Sequence, residues 1–433
     1  MKKESSSVKT RRGSRASFAI FAIFAIGISA ILSQNALSDE LDLPHSVTEA
    51  IKMERENALP RTTFYNEGKL VLNSKPGDLL KKARFNGYEV PEGATAVRIL
   101  YHSLDADNHD VATSGVVLIP AGKAPAEGWP VIAWAHGTSG VAQKCAPSLQ
   151  KDVYYGEEGL MPMVRAGFAV VATDYHGLGT NGRHQYVNKL AQSNDVIYSV
   201  TAARKAVPSL GKKWVVDGHS QGGLAAWGVA EAETNLNDPD YLGAVSVAGA
   251  LQLQQALTEM GSGHAGAASF YLPFMAYAAS ASSTTGTRFN PADILTGSAL
   301  KKYADVTRNG CWFYAYASFL DSWSEKLLQK NWNDSPGLQH LFEVDQLAEL
   351  PVSKPLFVIG GEADLSVPFP MLKAVAQKAC QKGVQLTFRS YPGLDHDPVM
   401  SDSVVDQLAW IKSRFAGVPA TNSCSDLAER NPQ

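Results

Sequence analysis

Residues 212–233 read KKWVVDGHSQGGLAAWGVAEAE: a short apolar run, a serine bracketed by glycines, and then small residues with helical spacing. This pattern predicts a buried strand that turns sharply at Ser220 into a helix. Such a turn forces an unusual backbone conformation on the serine, and Gly218 and Gly222 leave room for it. The hydroxyl would stand above the carboxyl edge of a sheet, where the start of the helix favours negative charge. We therefore predict that Ser220 is a nucleophile.

Apolar runs elsewhere in the chain fit the same alternation of strand and helix. Residues 129–137 (WPVIAWAHG) and 167–177 (GFAVVATDYHG) are nearly continuous apolar runs ending in polar residues and glycine, which is typical of buried parallel strands. Residues 194–207 have helical spacing and stop before Pro208. Another strand is predicted within 354–368. The alternation predicts an α/β fold with a mostly parallel central sheet and helices on both faces.

A serine hydroxyl is a weak nucleophile and needs a general base, which in turn needs an acid to orient it. The chain order expected on such a sheet is serine, acid, histidine. The histidines that follow Ser220 are His264, His340 and His396. The first two fall in an aromatic stretch without clear strands, whereas His396 follows a strand and turn (388–396, FRSYPGLDH). His396 is therefore the predicted base.

Two acidic residues are candidates for the orienting acid. Asp364 lies just past the strand-like run PLFVIG and before a predicted helix, and Glu362 lies two residues earlier. Asp395 and Asp397 flank the histidine, but adjacent residues seldom fold back to hold the ring at the nitrogen that faces away from the serine. We predict Asp364 as the acid, with Glu362 as the alternative.

A tetrahedral intermediate also needs two hydrogen-bond donors for its oxyanion. One should be the backbone N–H of Gln221, the residue after the nucleophile. The other should come from the glycine-rich loop HGTSG at 136–140, which follows the predicted strand VIAWA. Gly137 and Thr138 are both candidates, and the sequence does not choose between them.

The composition and the remaining motifs exclude several other classes of protein. The 433 residues are 45% hydrophobic and carry a net charge of −3, so a large core is expected and the basic excess of a nucleic-acid binder is missing. Residues 177–182 (GLGTNG) match G-x-G-x-x-G, the glycine pattern of dinucleotide-binding folds. In those folds the glycines follow the strand directly and open into a helix, whereas here Asp-Tyr-His separates them from the strand and no clear helix start follows. Nucleotide binding is therefore not expected. No metal-binding motif occurs. We expect no cofactor and no metal.

The first 38 residues are typical of an export signal. Residues 1–38 carry six basic side chains against one acidic one, and an apolar run occupies residues 16–32. Small residues follow at Ala36 and Ser38, which predicts a signal peptide cleaved after Ser38 and a secreted or periplasmic protein. An uncleaved membrane anchor is the competing interpretation. The pair Arg11-Arg12 fits a twin-arginine signal poorly.

Four cysteines lie in the exported part: Cys145, Cys311, Cys380 and Cys424. In an oxidising compartment an even number suggests two disulfides, for which three connectivities exist. We favour Cys145 with Cys311 and Cys380 with Cys424; the alternative is four separate buried thiols.

The sequence favours a single domain over residues 39–433. Residues 39–90 are polar and interrupted by prolines, and are interpreted as an N-terminal extension that wraps the core. Residues 251–350 are rich in aromatic and small residues and have no comparable strand. We interpret them as a helical insertion between two core strands, the usual place for a lid over a site.

Several motifs together resemble the bacterial branch of the secretory lipases, within the α/β-hydrolase superfamily. The resemblance runs from about residue 55 to about residue 415. Its motifs are GHSQGG (218–223), WAHGT (134–138), CAPS (145–148), TDYHGLG (173–179), GGEADLSVP (360–368) and PGLDH (392–396).

The resemblance implies an α/β-hydrolase fold, hydrolysis of lipid esters or acylglycerols, a lid, and no cofactor. It also suggests that Asp174 and Tyr175 lie near the oxyanion side of the pocket; the plainer interpretation is that they tie down a loop at the end of a strand. His219 is expected to contact the catalytic residues without contacting the substrate itself.

Our first hypothesis is therefore a secreted serine ester hydrolase of lipase or carboxylesterase type. Its partners would be a small-molecule or lipid ester and, transiently, a lipid interface, but no nucleic acid; the sequence leaves the oligomeric state open. One alternative is a serine peptidase or amide hydrolase of the same fold. The other is a non-catalytic binding domain, which predicts the loss of at least one residue of the serine, acid and histidine set.

Overall fold

The computed structural model describes residues 43–67, 74–249, 252–260, 266–282 and 289–429. The chain divides into two units, Met1–Leu43 and Pro44–Gln433, and the account below concerns the second. The predicted signal peptide (1–38), with its cleavage after Ser38, lies outside the described residues. Among the helices described, none is long and apolar enough to cross a membrane.

The core of the second unit is one sheet, whose strands run β1-β2-β3-β5-β4-β6-β7-β8-β9 from edge to edge. The strands are β1 (Leu79–Arg84), β2 (Thr95–Leu104), β3 (Asp110–Ile119), β4 (Trp129–Ala135), β5 (Ala169–Thr173), β6 (Leu210–His219), β7 (Tyr241–Val247), β8 (Leu356–Gly361) and β9 (Leu386–Tyr391). Pairing is antiparallel from β1 to β5 and parallel from β5 to β9. The predicted α/β architecture with a mostly parallel sheet is confirmed.

Helices cover both faces of the sheet. The α-helices of the described residues are α1 (Val47–Asn57), α2 (Met161–Arg165), α3 (Lys189–Ala206), α4 (Gln221–Leu236), α5 (Leu253–Glu259), α6 (Tyr271–Ser282), α7 (Gly297–Asn309), α8 (Trp312–Ser318), α9 (Pro336–Val344), α10 (Phe369–Gln381), α11 (Pro398–Phe415) and α12 (Cys424–Glu429).

The central strands are apolar on both sides because each side has a core of its own. Along β6, Trp214 and Val216 pack into the core formed with α3, α4 and α10, whereas Val215 packs into the core formed with α2 and α11. Strands buried on both faces lose the usual alternation of apolar and polar residues. This is why the strand before Ser220 reads as a continuous apolar run.

Two boundaries differ from the sequence predictions. The helix predicted over 194–207 is α3, which begins at Lys189 because the side chain of Asn188 accepts a hydrogen bond from the Ala191 amide at 3.1 Å. The N-terminal extension contains α1 and the edge strand β1, neither of which was predicted. Basic side chains such as Lys81 and Lys82 give β1 a polar sequence that hides the strand.

Between β7 and β8 the described residues form helices and turns. Helices α5 to α9 lie in this stretch, and apolar side chains of α6 and α9, such as Phe274 and Leu338, belong to the same core as β6 and α4. Parts of residues 251–350 lie outside the described residues. The helices therefore pack onto the sheet core itself.

Both predicted disulfides are present. Cys145 and Cys311 are bonded, with their Cα atoms 5.5 Å apart, and join the loop after β4 to the start of α8. Cys380 and Cys424 are bonded, with Cα atoms 5.4 Å apart, and join α10 to α12. The connectivity favoured from the sequence is confirmed, and the alternative of four separate thiols is wrong.

Candidate active site

Ser220 sits in a strained turn between β6 and α4. Its φ is 57° and its ψ is −120°, a backbone conformation that non-glycine residues adopt rarely. A Cβ at Gly222 would lie 1.8 Å from the Ala135 carbonyl oxygen, and one at Gly218 would lie 2.3 Å from the Gly222 carbonyl oxygen. Both positions must therefore be glycine for the chain to make this turn.

A chain of hydrogen bonds connects three of the predicted site residues. The Ser220 hydroxyl donates to His396 Nε2 at 2.8 Å, and His396 Nδ1 donates to Asp364 Oδ2 at 2.8 Å. The other carboxylate oxygen of Asp364 accepts from the amides of Ser366 (2.8 Å) and Val367 (2.7 Å). The loops after β8 and β9 thus bring the acid and the histidine to the serine at one edge of the sheet.

The other acidic candidates bind elsewhere. Glu362 is exposed and accepts from the Ser390 hydroxyl at 2.7 Å. Asp395 accepts from the Leu365 and His396 amides at 3.0 and 2.8 Å. Among the described residues, Asp364 is the acid that contacts the His396 ring.

Neighbouring charges control the protonation of His396. Burial by itself lowers the pKa of His396, but the Asp364 carboxylate, together with Asp397 and Asp395, raises it to about 9. A carboxylate at Nδ1 stabilises the imidazolium that forms when a base takes a proton at Nε2. The geometry therefore gives His396 a strong affinity for a proton from Ser220.

His219 supports the loop that carries His396. Its Nε2 donates to the His396 carbonyl oxygen at 2.9 Å, and its Nδ1 accepts from the Tyr155 hydroxyl at 2.8 Å. Burial, and the nearby charge of His396, lower the pKa of His219 well below its usual value, so His219 is neutral and this assignment of donor and acceptor is consistent. Sequence reasoning missed Tyr155, because nothing in the string DVYYGEEG marks it as a partner of a residue 64 positions away.

The predicted oxyanion residues follow Ser220 directly in the chain or lie in the loop after β4. Gln221 is the first residue of α4, where backbone N–H groups have no partner within the helix. Thr138 lines the same pocket as Ser220, whereas a Cβ at Gly137 would lie 2.4 Å from the Tyr155 hydroxyl oxygen. Gly137 is therefore packed against Tyr155, and Thr138 is the residue of the loop that faces the pocket.

Tyrosines hold this loop in place. The Thr138 hydroxyl hydrogen-bonds with the Tyr186 hydroxyl at 2.8 Å, and the Tyr154 hydroxyl donates to the Thr138 carbonyl oxygen. The Tyr175 hydroxyl donates to the His136 carbonyl oxygen at 3.1 Å. Three tyrosines thus bind side-chain and carbonyl oxygens on either side of the Gly137 and Thr138 amides.

Asp174 and Tyr175 have different roles. The Asp174 carboxylate accepts from the Ser148 amide at 2.7 Å and from the hydroxyls of Ser114 and Ser148, and so ties a loop to the end of β5. Only its carbonyl oxygen reaches the 136–140 part of that loop, by accepting from His136 Nε2 at 3.2 Å. Of the two residues, Tyr175 is the one whose side chain contacts the loop at 136–140.

The pocket above Ser220 is small and apolar in this structure. Its volume is about 30 Å³, far below the roughly 300–1,000 Å³ typical of small-molecule sites. Its walls come from the loops after β4, β5 and β8, from α5 and α6, and from the residue after α5. The residues are Thr138, Tyr186, Val187, Leu253, Ala256, Leu257, Met260, Tyr271, Met275, Ser366 and Val367. Helices α5 and α6 thus cover the serine.

His219, His396 and Asp397 place ligand-type atoms within 4.8 Å of one another. Both nitrogens of His396 and both nitrogens of His219 already hydrogen-bond to protein atoms. A metal ion would have to break these contacts, so the group does not fit a metal site. Asp105, Asp107 and His109 form another such group on an exposed loop, where Asp105 Oδ1 accepts from the amides of the other two.

Comparison with known proteins gives consistent matches. A family model described as secretory lipase matches residues 149–423. Over 74 residues the chain is 32% identical to a secreted triacylglycerol lipase of Malassezia globosa; this match covers 17% of the chain and only 16% of that relative's length.

Two solved structures of ester hydrolases share the fold. Candida antarctica lipase A has a TM-score of 0.69 at 17% identity, and the match covers 85% of this chain and 89% of that one. The rice cell wall degrading esterase LipA of Xanthomonas oryzae has a TM-score of 0.62 at 18% identity, covering 79% of this chain and 98% of that one. These likenesses confirm the predicted α/β-hydrolase fold.

Proposed function

Because the chain belongs to the secretory lipase family, we propose that it hydrolyses carboxylic esters, with Ser220 as nucleophile, His396 as general base and Asp364 as the acid that orients the histidine. The observation that carries this proposal is the hydrogen-bond chain from the Ser220 hydroxyl through the imidazole to Asp364, with 2.8 Å at each step. All three members are present, which argues against a non-catalytic binding domain.

In the proposed reaction, His396 Nε2 takes the hydroxyl proton as Ser220 Oγ attacks the ester carbonyl carbon. The negative oxygen of the tetrahedral intermediate is held by the backbone N–H groups of Gln221 and Thr138. The imidazolium then gives its proton to the leaving alcohol, which leaves an acyl group on Ser220. Water attacks the acyl-enzyme in the same way, releases the carboxylic acid and restores the serine.

The surroundings of Ser220 support lipid-like esters as substrates. The pocket walls from α5 and α6 are leucine, methionine, alanine and tyrosine, which suit an acyl chain. Because the pocket holds about 30 Å³, α5 and α6 must move to admit a long chain, as proposed for a lid at 251–350. We include in the same proposal that this movement occurs at a lipid interface.

An extracellular location fits the family and the two disulfides, which form in oxidising compartments. We propose that residues 1–38 act as the export signal and are removed after Ser38.

The test is hydrolysis of p-nitrophenyl esters with acyl chains from acetyl to palmitoyl. We expect activity in the wild type and its loss in Ser220→Ala, while Ser209→Ala, which changes an exposed serine just before β6, keeps it. The preferred chain length separates a lipase from a short-chain esterase. If no ester is cleaved but amides are, the amide hydrolase alternative replaces this proposal.

A further inference from the structure

A groove of about 530 Å³ lies between α1 and α8. Ile51 and Leu59 line it from the N-terminal segment, and Trp312 and Phe313 line it from α8. We call it the α1–α8 groove. Its volume lies within the range of about 300–1,000 Å³ typical of small-molecule sites, unlike that of the pocket at Ser220.

The groove and the Ser220 pocket share a wall. Thr138 lines the pocket, whereas the next residue, Ser139, lines the groove. Tyr154 lines the groove and donates its hydroxyl hydrogen to the Thr138 carbonyl oxygen. Trp312 lines the groove, and its indole N–H donates at 3.4 Å to the hydroxyl of Tyr271, which lines the pocket. A single layer of residues therefore separates the two spaces.

Basic side chains accompany the apolar walls of the groove. Arg55, Arg61 and Lys144 are exposed and lie along its lining. Arg61 Nε donates to the Gly179 carbonyl oxygen at 2.7 Å, which holds this guanidinium in place. The groove thus combines a surface for an alkyl chain with positive charge.

The one acidic residue of the lining faces α8. Glu54 Oε1 accepts from the backbone amides of Tyr314 (2.9 Å) and Cys311 (3.2 Å) at the start of that helix. Its other oxygen lies 3.9 Å from Lys144 Nζ. Glu54 balances one cation of the lining, Lys144, so Arg55 and Arg61 leave the lining with a net positive charge.

We propose that the α1–α8 groove binds a long-chain fatty acid, with the hydrocarbon chain along Trp312 and Phe313 and the carboxylate among Arg55, Arg61 and Lys144. An apolar surface alone would accept any alkyl chain, but the cations select an anionic head group. The proposal rests on the proposed function only for the origin of the acid, since ester hydrolysis at Ser220 would produce it. Bound acid would then slow turnover without filling the pocket at Ser220.

Calorimetric titration of the Ser220→Ala protein with laurate, below its micelle concentration, tests the site without depending on catalysis. We expect one laurate per chain. The double variant Arg55→Ala/Lys144→Ala should bind laurate about tenfold more weakly, since an exposed charge contact contributes about two- to fivefold. Arg55→Lys keeps the charge and should keep the affinity, and Lys123→Ala, an exposed lysine in the loop before β4, is the matched control.

Dodecyltrimethylammonium carries the same alkyl chain with a positive head group and should bind far more weakly than laurate. Equal binding of the two, or wild-type affinity in the double variant, would mean adsorption to an apolar surface and would overturn the proposal.

With the active protein, laurate should lower kcat for p-nitrophenyl acetate without raising KM, and the double variant should relieve this inhibition. Competitive inhibition that the double variant leaves unchanged would put laurate in the Ser220 pocket and overturn the proposal. Laurate binding without any esterase activity in the wild type would support the groove and contradict the proposed function alone.

Discussion

The end of β6 and the loop after β9 each place a buried histidine beside Ser220, and the two rings behave in opposite ways. The ring centroids of His219 and His396 are 4.8 Å apart. Burial acts on both in the same direction, yet the pKa of His219 falls well below its usual value, whereas that of His396 rises to about 9.

The partners of the two rings explain the difference. His396 Nδ1 faces the Asp364 carboxylate, whereas His219 faces a tyrosine hydroxyl and a backbone carbonyl oxygen, both neutral. At equal burial, the charge of the hydrogen-bond partner decides whether a histidine can take up a proton. One ring is therefore suited to move a proton and the other to hold a loop.

The largest expected effect comes from replacing each histidine in turn. His396→Asn should lower kcat for a soluble p-nitrophenyl ester by about 10⁴-fold or more, because the base is lost. His219→Gln retains a donor for the His396 carbonyl oxygen and should cost tenfold or less. Similar losses in the two variants, with both folded by circular dichroism, would contradict the division of roles between the rings.

Asp364→Asn should lower kcat by about 10⁴-fold, because an amide can neither stabilise the imidazolium nor hold the ring with its proton on Nδ1. Glu362→Gln, two residues away and bound to Ser390, is the control and should retain most of the activity. A larger loss in Glu362→Gln than in Asp364→Asn would make Glu362 the orienting acid.

Tyr155→Phe removes the donor to His219 Nδ1 and should lower kcat by about threefold to tenfold, the effect of one hydrogen bond. KM should stay nearly constant, because Tyr155 does not line the pocket at Ser220. Steady-state kinetics on a short soluble ester measure both constants. A rise in KM with unchanged kcat would instead indicate a role in binding substrate.

The smallest effect concerns pH. The base must be neutral to act, so kcat/KM should fall as the pH drops through the raised pKa of His396, about 9. Asp397 is one of the carboxylates that raise this pKa, so Asp397→Asn should move the midpoint to lower pH. Asp402→Asn, which changes an exposed residue of α11, the helix that Asp397 precedes, should leave the midpoint in place. An unchanged midpoint in Asp397→Asn would show that Asp397 does not raise the pKa of His396.

The sequence predicted the residues whose position follows from local geometry or chain order. The glycines around Ser220 indicated the turn because no side chain fits there, and the order of strands then indicated Asp364 and His396. In each case the signal lies within a few residues of the site, or in the succession of elements along the chain. Because parallel strands end at one edge of the sheet, the loops that carry Ser220, Asp364 and His396 were expected to meet there.

Contacts between distant parts of the chain could not be predicted in this way. Tyr155 and His219 meet because a turn before α2 packs against the end of β6, and neither string contains a sign of the other. Likewise Glu54 binds the start of α8 across 260 positions of sequence. Such partners are brought together by tertiary packing, and neither the periodicity nor the motifs of a single sequence indicate which distant residues will meet.

The disulfide between Cys145 and Cys311 distinguishes α8 from α5 and α6, the helices that cover Ser220. It fastens the start of α8 to the loop after β4, so α8 cannot move away from that loop while the bond is intact. Helices α5 and α6 have no such covalent attachment among the described residues. The movement of α5 and α6 that we propose would therefore separate Tyr271 from Trp312, which stays with the disulfide, and so break the contact between the pocket and the groove.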